Sequence, residues 1–119
     1  DRIIQITPSR SKWYMDEKFH PQEYFKYSFG ITQMHDARPE LVELSLTPLQ
    51  SKYVLSQPLH ASQKVISTSA KEVRITLEVY LTPELFMTIL GLGSGVKVIK
   101  PKKLVDQIRG EINAMGKLY

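Results

Sequence analysis

The sequence predicts an α+β fold, in which short strands and helices alternate around one small core. Residues 73–81 alternate between apolar and polar side chains, which is typical of a strand with one buried face. Thr-Pro pairs at 47–48 and 82–83 match a helix N-cap followed by proline at the first helical position. Glycines at 91, 93 and 95 separate an apolar helical stripe from the strand-like run 96–100. Strands and helices are therefore expected to alternate through the C-terminal part of the chain.

The first 40 residues predict a smaller, separate unit. Residues 2–6 are predicted to form a short strand, followed by a polar loop. Pro21 fits the first turn of a short helix that runs to about Ser28, and Gly30 fits the position just past its end. Residues 32–40 have the composition of a linker, so we place a domain boundary there.

From residue 41 onward the predicted elements follow one another closely. In order they are a strand Leu41 to Thr47, a helix Pro48 to about Gln57, a hairpin of Lys64 to Ser69 and Glu72 to Leu81, a helix from Pro83, a strand Val96 to Lys100 and a final helix from Pro101. The order β-α-β-β-α-β is that of a ferredoxin-like split unit, here with one extra C-terminal helix.

Such a sheet would carry two helices on one face and leave the other face open. The open face is expected to show Glu43, Ser45, Ile66, Arg74, Thr76, Glu78, Tyr80, Lys97 and Ile99. That face is partly apolar, so we expect the N-terminal segment, a second copy of the chain or a ligand to cover it. In the helices, apolar residues fall at helical spacing: Leu49 and Tyr53, then Leu85, Phe86, Ile89 and Leu90, then Leu104, Val105, Ile108, Ile112 and Met115.

Length and composition bound the class of protein. A chain of 119 residues with 42% hydrophobic content supports one small core. It has no Cys, which excludes disulfides and favours a cytoplasmic location. No apolar run approaches the ~20 residues that span a bilayer, so no membrane partner is expected. The chain begins at Asp1 within a strand-like segment, and we expect it to be a piece of a longer protein.

The net charge of +4 is unevenly distributed. Residues 1–40 carry six basic and six acidic side chains, whereas residues 41–119 carry ten basic and six acidic ones. The whole excess therefore lies in the C-terminal part, where it permits an anionic partner.

No motif in the sequence predicts catalysis, a metal or a cofactor. The chain lacks a Ser–His–acid pattern, and its single adjacent acid pair, Asp16-Glu17, falls in a polar loop. The three histidines are scattered without further ligand types nearby. The glycines at 91–95 follow a helix rather than precede one, so they indicate helix termination rather than a phosphate loop. We therefore expect no enzyme.

Several basic residues are candidates for binding an anion. Four lysines without an intervening acid crowd the end of the last strand and the start of the last helix: Lys97, Lys100, Lys102 and Lys103. They either contact an anion such as a nucleic-acid phosphate or form a solvated surface. Arg74, on the open sheet face, is a second candidate, and Arg109 is a weaker third.

Two further features admit more than one interpretation. His60 precedes the second core strand together with Ser62 and Gln63, and it is either a satisfied loop histidine or part of a polar pocket or interface. The aromatic pair Trp13-Tyr14 lies in a predicted loop, where it would stack on a base or pack onto a neighbouring domain.

Four stretches of the chain stand in an order that resembles one family. They are Asp1-Arg2-Ile3, Phe19 to Gly30, Pro58-Leu59-His60-Ala61-Ser62-Gln63, and Leu90 to Pro101 followed by Leu104. Together they resemble the C-terminal part of a WYL-domain transcriptional regulator, including the Leu-His-x-Ser-Gln element and Gly-rich turn of its WCX extension. The resemblance implies that residues 1–31 are a remnant of the WYL β-barrel, 32–40 a linker and 41–119 the WCX extension. The motif Trp-Tyr-Leu normally precedes Asp-Arg-Ile, so Trp13-Tyr14-Met15 is not that motif.

The resemblance implies a role in ligand sensing and dimerisation. Such bacterial regulators resemble one another in being homodimers that bind DNA through a helix-turn-helix, which is absent from this chain. Their effector is, in some cases, a nucleotide or single-stranded nucleic acid. The residues implied as contacts to the effector or the dimer partner are Arg2, His60, Gln63, Lys64 and Arg74. Those implied in weaker phosphate attraction are Lys97, Lys100 and Lys102.

Other functions share parts of this pattern. A purely structural dimerisation module would need no ligand. An RNA-binding RRM has the same element order but stacks bases on aromatic residues of its central strands, where this chain offers only Tyr80. A small acylphosphatase-like enzyme would need a phosphate-cradling loop after the first strand, whereas Thr47-Pro48 leads directly into a helix.

Overall fold

The computed structural model describes residues 26–30 and 38–119. The elements within them are β1 (Glu40–Leu46), α1 (Pro48–Ser56), β2 (Lys64–Thr68), β3 (Val73–Val79), α2 (Pro83–Gly91), a 3-10 helix (Gly93–Gly95), β4 (Val96–Lys100) and α3 (Lys102–Gly116). The predicted α+β class and the predicted order of elements after residue 40 are confirmed.

The four strands form one antiparallel sheet in the order β2-β3-β1-β4, with β3 and β1 in the centre. Val42 lies opposite Leu77, and Leu44 lies between Ile75 on β3 and Val98 on β4. These apolar side chains share one face of the sheet because side chains alternate between faces along each strand. The core consists of that face and the helices on it: Val42, Leu44, Leu46, Val54, Val73, Ile75, Leu77, Val79, Leu85, Ile89, Val98 and Leu104, together with Phe29.

Both predicted threonine caps begin a helix. The Thr47 hydroxyl oxygen accepts a hydrogen bond from the Gln50 backbone N–H at 3.2 Å, and the Thr82 hydroxyl oxygen accepts one from Leu85 at the same distance. Each bond satisfies a backbone donor that has no partner inside the helix. The caps therefore position α1 and α2 directly after β1 and β3.

The helices differ in how much of their apolar surface they bury. On α1 the buried residues are Ser51 and Val54, while Leu49 and Tyr53 are 67% and 64% exposed. The apolar pair at i, i+4 is therefore not the face that packs on the sheet. On α2 the predicted stripe does pack, with Leu85 and Ile89 buried.

Helix α3 packs on the domain along only part of its stripe. Leu104 is buried and Val105 and Ile108 are half-buried, whereas Ile112 and Met115 are 55% and 46% exposed. The C-terminal half of this stripe is thus left open along the same helix face.

The segment 26–30 belongs to the core, although it precedes the predicted linker. The Phe29 side chain is buried, and its carbonyl oxygen accepts a hydrogen bond from the Thr82 hydroxyl at 2.9 Å. The Tyr27 carbonyl accepts another from the Tyr80 N–H at 2.9 Å. Gly30 has φ +78°, and a Cβ there would lie 2.5 Å from the Glu84 Cγ, so the turn after Phe29 requires glycine.

Parts of the N-terminal prediction lie outside the described residues. These are the strand 2–6, the loop with Trp13-Tyr14, and most of the predicted helix and linker. The last residues predicted for that helix, Lys26 and Tyr27, form a turn. The domain boundary at 32–40 stays a prediction. No helix within residues 26–30 and 38–119 is long and apolar enough to cross a bilayer.

Candidate functional site

Side chains from all four strands form two polar rows on the sheet face opposite the core. In one row Ser67 pairs with Arg74, Arg74 with Ser45, and Ser45 with Lys97. In the next row the paired positions run from Lys64 through Thr76 and Glu43 to Lys100. The predicted open face is therefore polar at its centre, with lysines on both edge strands.

Arg74 is held at the centre of this face by two carboxylates. Its Nη1 lies 3.1 Å from the Glu43 Oε2, and its Nε lies 2.9 Å from the Glu72 Oε1. The second oxygen of Glu72 accepts a hydrogen bond from the Ser45 hydroxyl. Glu43 and Ser45 are buried, so these contacts also satisfy polar groups that are largely removed from water.

The network stabilises the charged forms of its members. The hydrogen bonds from Ser45 and Arg74 lower the pKa of Glu72, and the charges of Arg74 and Lys97 lower it further. The hydrogen bond to Glu72 and that carboxylate's charge raise the pKa of Arg74. The ion pair between Arg74 and Glu72 is therefore fully charged at neutral pH.

A cavity of about 380 Å³ adjoins one end of the first polar row. It lies between the β2–β3 hairpin and the start of β4, and its polar lining residues are Ser45, Thr47, Ser69, Lys71, Glu72, Ser94 and Lys97. Lys71 and Lys97 form no ion pair with any carboxylate of the residues that the structure describes. Lys71 and Lys97 therefore border the cavity without a direct ion pair, and the charge of Lys97 acts on Glu72.

His60 and Ser62 close the connection between α1 and β2. The Nδ1 of His60 accepts a hydrogen bond from the Ser62 N–H at 3.0 Å, which places the proton of a neutral ring on Nε2. The Ser62 hydroxyl accepts one from the Glu78 N–H at 2.8 Å and lies 3.3 Å from the Glu78 carbonyl oxygen. Ser62 thus bonds to β3 directly before β2 begins.

Gln63 links the same connection back to α1. Its Oε1 accepts a hydrogen bond from the Leu59 N–H at 2.9 Å, and its Nε2 donates one to the Val54 carbonyl at 3.2 Å. The side chains of His60 and Gln63 therefore form hydrogen bonds inside this connection rather than on the polar sheet face. A structural role accounts for both side chains.

The remaining predicted site residues are dispersed. Lys64 begins β2, Lys97 and Lys100 lie on β4, and Lys102 begins α3, and all four are exposed. The other two basic candidates are paired: the Lys103 Nζ lies 2.6 Å from Glu40, and the Arg109 Nη1 lies 3.9 Å from Asp106. Arg2 lies outside the described residues. The structure thus unites Arg74 and Lys97 in one row and leaves His60 and Gln63 apart from them.

Sequence reasoning missed several residues of this site, Glu72, Lys71 and Ser94 among them. Glu72 could have been assigned to it, because residues 72 and 74 fall on the same face of an extended strand. Lys71 lies in the turn between β2 and β3, and Ser94 lies in a 3-10 helix. In such short irregular segments no sequence periodicity indicates where a side chain points.

A second surface is mostly apolar, although Ser94, Lys97 and Arg109 also line it, so Ser94 and Lys97 border both cavities. A groove of about 570 Å³ runs between α3 and β4, and the side chains that line it include Leu90, Val98, Val105, Ile108, Ile112 and Met115. The whole stripe of α3 after Leu104, both its packed and its exposed part, therefore forms one wall of this groove.

A base-stacking surface and a metal site find less support in the described parts of the chain. The Tyr80 ring packs edge-on against Tyr27, with ring centroids 6.1 Å apart and an interplanar angle of 81°. This aromatic ring thus packs within the protein rather than forming a platform for bases. Residues 26–30 and 38–119 contain no group of three or more His, Asp or Glu side chains placed to hold a metal ion.

Comparison with known protein families identifies the family of this chain. A family model described as the WCX domain matches residues 38–116, which is well over half of the sequence. The chain therefore belongs to the WCX domain family, the C-terminal extension of WYL-type regulators. The resemblance noted in the sequence is confirmed for that extension, and residues 1–37 lie outside the match. No curated protein matched the chain.

Proposed function

We propose that this chain is the effector-sensing and dimerisation region of a DNA-binding regulator of the WYL type. The effector is a nucleotide or a single-stranded nucleic acid, and it contacts the polar face of the sheet. One observation carries the proposal: the polar face has lysines on both edge strands, Lys64 on β2 and Lys97 and Lys100 on β4, and none of them forms an ion pair with a described carboxylate. Operator DNA is bound by a helix-turn-helix outside this chain, in the cytoplasm, and we assign this chain no catalytic role.

The sheet order supports a finer assignment of the fold. In a ferredoxin-like split unit the first and third strands lie in the centre and the second and fourth at the edges. The order β2-β3-β1-β4 agrees with that arrangement, and α3 is the additional helix. We propose the ferredoxin-like class on this basis.

The polar face has the chemistry that phosphates require. Lys64, Lys97 and Lys100 attract a polyanion without sequence preference, and the attraction weakens as salt rises. Arg74 uses two of its five N–H donors on Glu43 and Glu72, which leaves donors for a ligand oxygen. Because both carboxylates hold the guanidinium in place, little side-chain entropy is lost when it binds.

An effector on this face would regulate by unequal affinity for two states of a dimer. A ligand shifts such an equilibrium only by the difference between its binding free energies for the two states. The polar face is one side of a small sheet whose other side packs on the core. An effector that contacts all four strands would therefore be sensitive to any change in how the strands and the core are arranged.

The test is a titration of the 119-residue chain with a short single-stranded oligonucleotide and with a nucleotide mixture, followed by amide-resolved NMR. Saturable shifts are expected at Lys64, Arg74 and Lys97, with affinity falling as salt rises. The variant Lys97→Gln/Lys100→Gln should weaken binding, while the charge-matched Lys52→Gln/Lys117→Gln should not. Unchanged binding by the first variant would contradict the proposal.

A purely structural dimerisation module is the second candidate, and α3 favours it. Ile112 and Met115 are exposed on a helix face that is otherwise packed, and they line the apolar groove beside β4. Burial of apolar surface contributes about 25 cal/mol per Å², which favours association of two such faces against its entropy cost. The occupant that we propose for this surface is a second copy of the chain.

The two candidates differ in a measurable way. A dimer in analytical ultracentrifugation that Ile112→Glu dissociates, and that Gln107→Glu leaves intact, supports the α3 surface. If nucleotides and oligonucleotides then produce no amide shifts, the structural role alone remains. A chain that is monomeric at all concentrations would contradict the dimer surface.

A further inference from the structure

We propose that the cavity between the β2–β3 hairpin and the start of β4 binds a phosphate monoester, the terminal phosphate of a nucleotide or of a single strand. This inference rests on the proposed function and names the group that the site would recognise first. It differs from general phosphate attraction because it requires a terminal phosphate at one end of the polar face.

The charges around the cavity favour a dianion. Two cationic side chains, Lys71 and Lys97, line the cavity with one carboxylate, Glu72, which leaves an excess of one positive charge. Glu72 is engaged by Ser45 and Arg74, so the two lysines remain available. A phosphate monoester carries a charge of about −1.5 to −2 at pH 7, more than the single charge of a backbone diester.

The hydroxyl groups of the cavity separate into engaged and available donors. Ser45 donates to the Glu72 carboxylate and Ser69 donates to the Glu72 carbonyl oxygen, whereas the Thr47 oxygen accepts from the Gln50 N–H. Within the described residues, the Ser94 hydroxyl is engaged in no such bond. Ser94 therefore adds a neutral donor beside the two ammonium groups.

These donors approach from two sides. Lys71 belongs to the β2–β3 turn, whereas Ser94 and Lys97 belong to the 3-10 helix and β4 across the cavity. A tetrahedral phosphate accepts hydrogen bonds in several directions at once, so donors on opposite walls suit its terminal oxygens. The volume of about 380 Å³ falls within the range of ~300–1,000 Å³ that is typical of small-ligand pockets.

The position of the cavity also suits the terminal phosphate of a single-stranded nucleic acid. Ser45 and Lys97 line the cavity and are members of the Arg74 row on the polar face. A nucleic acid whose terminal phosphate occupies the cavity would continue across that face toward Lys64 or Lys100. The cavity would thus hold one end of a single-stranded nucleic acid bound on the polar face.

The test compares matched ligands on the 119-residue chain. A short oligothymidine with a 5′-phosphate is compared with the same oligomer ending in a 5′-hydroxyl, by fluorescence anisotropy at one ionic strength. Thymidine 5′-monophosphate is compared with thymidine by amide shifts at Lys71, Ser94 and Lys97. We expect a preference on the order of tenfold for the phosphorylated member, as for charge-assisted hydrogen bonds.

Variants test whether the preference for the phosphorylated ligand arises from the cavity. Lys71→Gln/Lys97→Gln should abolish it, Ser94→Ala should reduce it, and Lys52→Gln/Lys117→Gln, with the same loss of charge elsewhere, should preserve it. Equal binding of both oligomers would overturn the inference and leave the proposed function in place. Shifts with the monophosphate, and no binding of either oligomer, would support the cavity with a free nucleotide as the source. No response to any phosphate ligand would overturn both proposals.

Discussion

Ser45 donates its hydroxyl hydrogen bond to the carboxylate of Glu72, which lies 27 residues further along the chain. Ser45 belongs to the central strand β1, and Glu72 stands immediately before β3. The other oxygen of Glu72 binds Arg74 at 2.9 Å, so the carboxylate is oriented by two neighbouring strands. These contacts lower its pKa, and the stability of the fold should therefore depend on its charge.

The variant Glu72→Gln should be less stable than the wild type at neutral pH, with a difference that shrinks in acid. The folded-state pKa of Glu72 lies below its ordinary value of 4.5. The stabilisation is therefore complete above about pH 4.5 and is lost as the pH falls through the folded-state value. Urea unfolding at a series of pH values measures this difference. Glu111→Gln, on the exposed part of α3, is the control, and a difference independent of pH would contradict the prediction.

Replacing Gln63 with Ala should destabilise the domain by about 1–2 kcal/mol. The substitution removes two hydrogen bonds, to the Leu59 N–H and the Val54 carbonyl, and leaves both backbone groups partly buried. Urea unfolding provides the measurement, with Gln107→Ala on the exposed surface of α3 as the matched control. If the two variants were equally stable, Gln63 would not be a structural link, and its implied role in effector contact would regain weight.

Phe29→Ala should lower the free energy of unfolding by about 3 kcal/mol, because a buried phenyl ring leaves a cavity. The exposed aromatic residue Tyr53 offers a control, and Tyr53→Ala should change stability by less than about 0.5 kcal/mol. Thermal and urea unfolding both report the change. Similar stability of the two variants would mean that the segment 26–30 does not pack on the domain in solution.

Gly110→Ala should stabilise the chain by about 0.5–1 kcal/mol. Gly110 lies in the interior of α3, where a Cβ would meet nothing within 4 Å, and alanine has the higher helix propensity. The gain appears as a higher urea midpoint with an unchanged slope. A loss of stability would indicate that this face of α3 contacts another molecule, which ultracentrifugation of the variant would then reveal.

The elements themselves could be predicted because their signals are local. Alternation along residues 73–79 indicates a strand, and Thr47 and Thr82, each followed by proline, indicate where two helices begin. Each signal depends on residues within a few positions of one another. For the same reason the stripe of α2, Leu85 and Ile89, was predicted correctly.

The candidate site was only partly predictable. Periodicity alone places Glu72 beside Arg74, whereas the ion pair between Arg74 and Glu43 depends on the register of β1 against β3, across 31 residues. His60 and Gln63 were identified as notable, but the family resemblance implied a binding role for them, and the structure gives both hydrogen bonds inside the α1–β2 connection. Spacing in the sequence does not reveal which partner satisfies a polar side chain.

The sequence by itself determined the α+β class, the order of elements and the family of the extension, since composition, caps and motifs are properties of short segments. The tertiary structure decided which side of α1 is buried, that Phe29 joins a core on the far side of a predicted linker, and that Lys71 and Lys97 line one cavity. Those outcomes depend on contacts between residues far apart in the chain. Such contacts are selected by the total apolar area that the fold can bury, which no local pattern specifies.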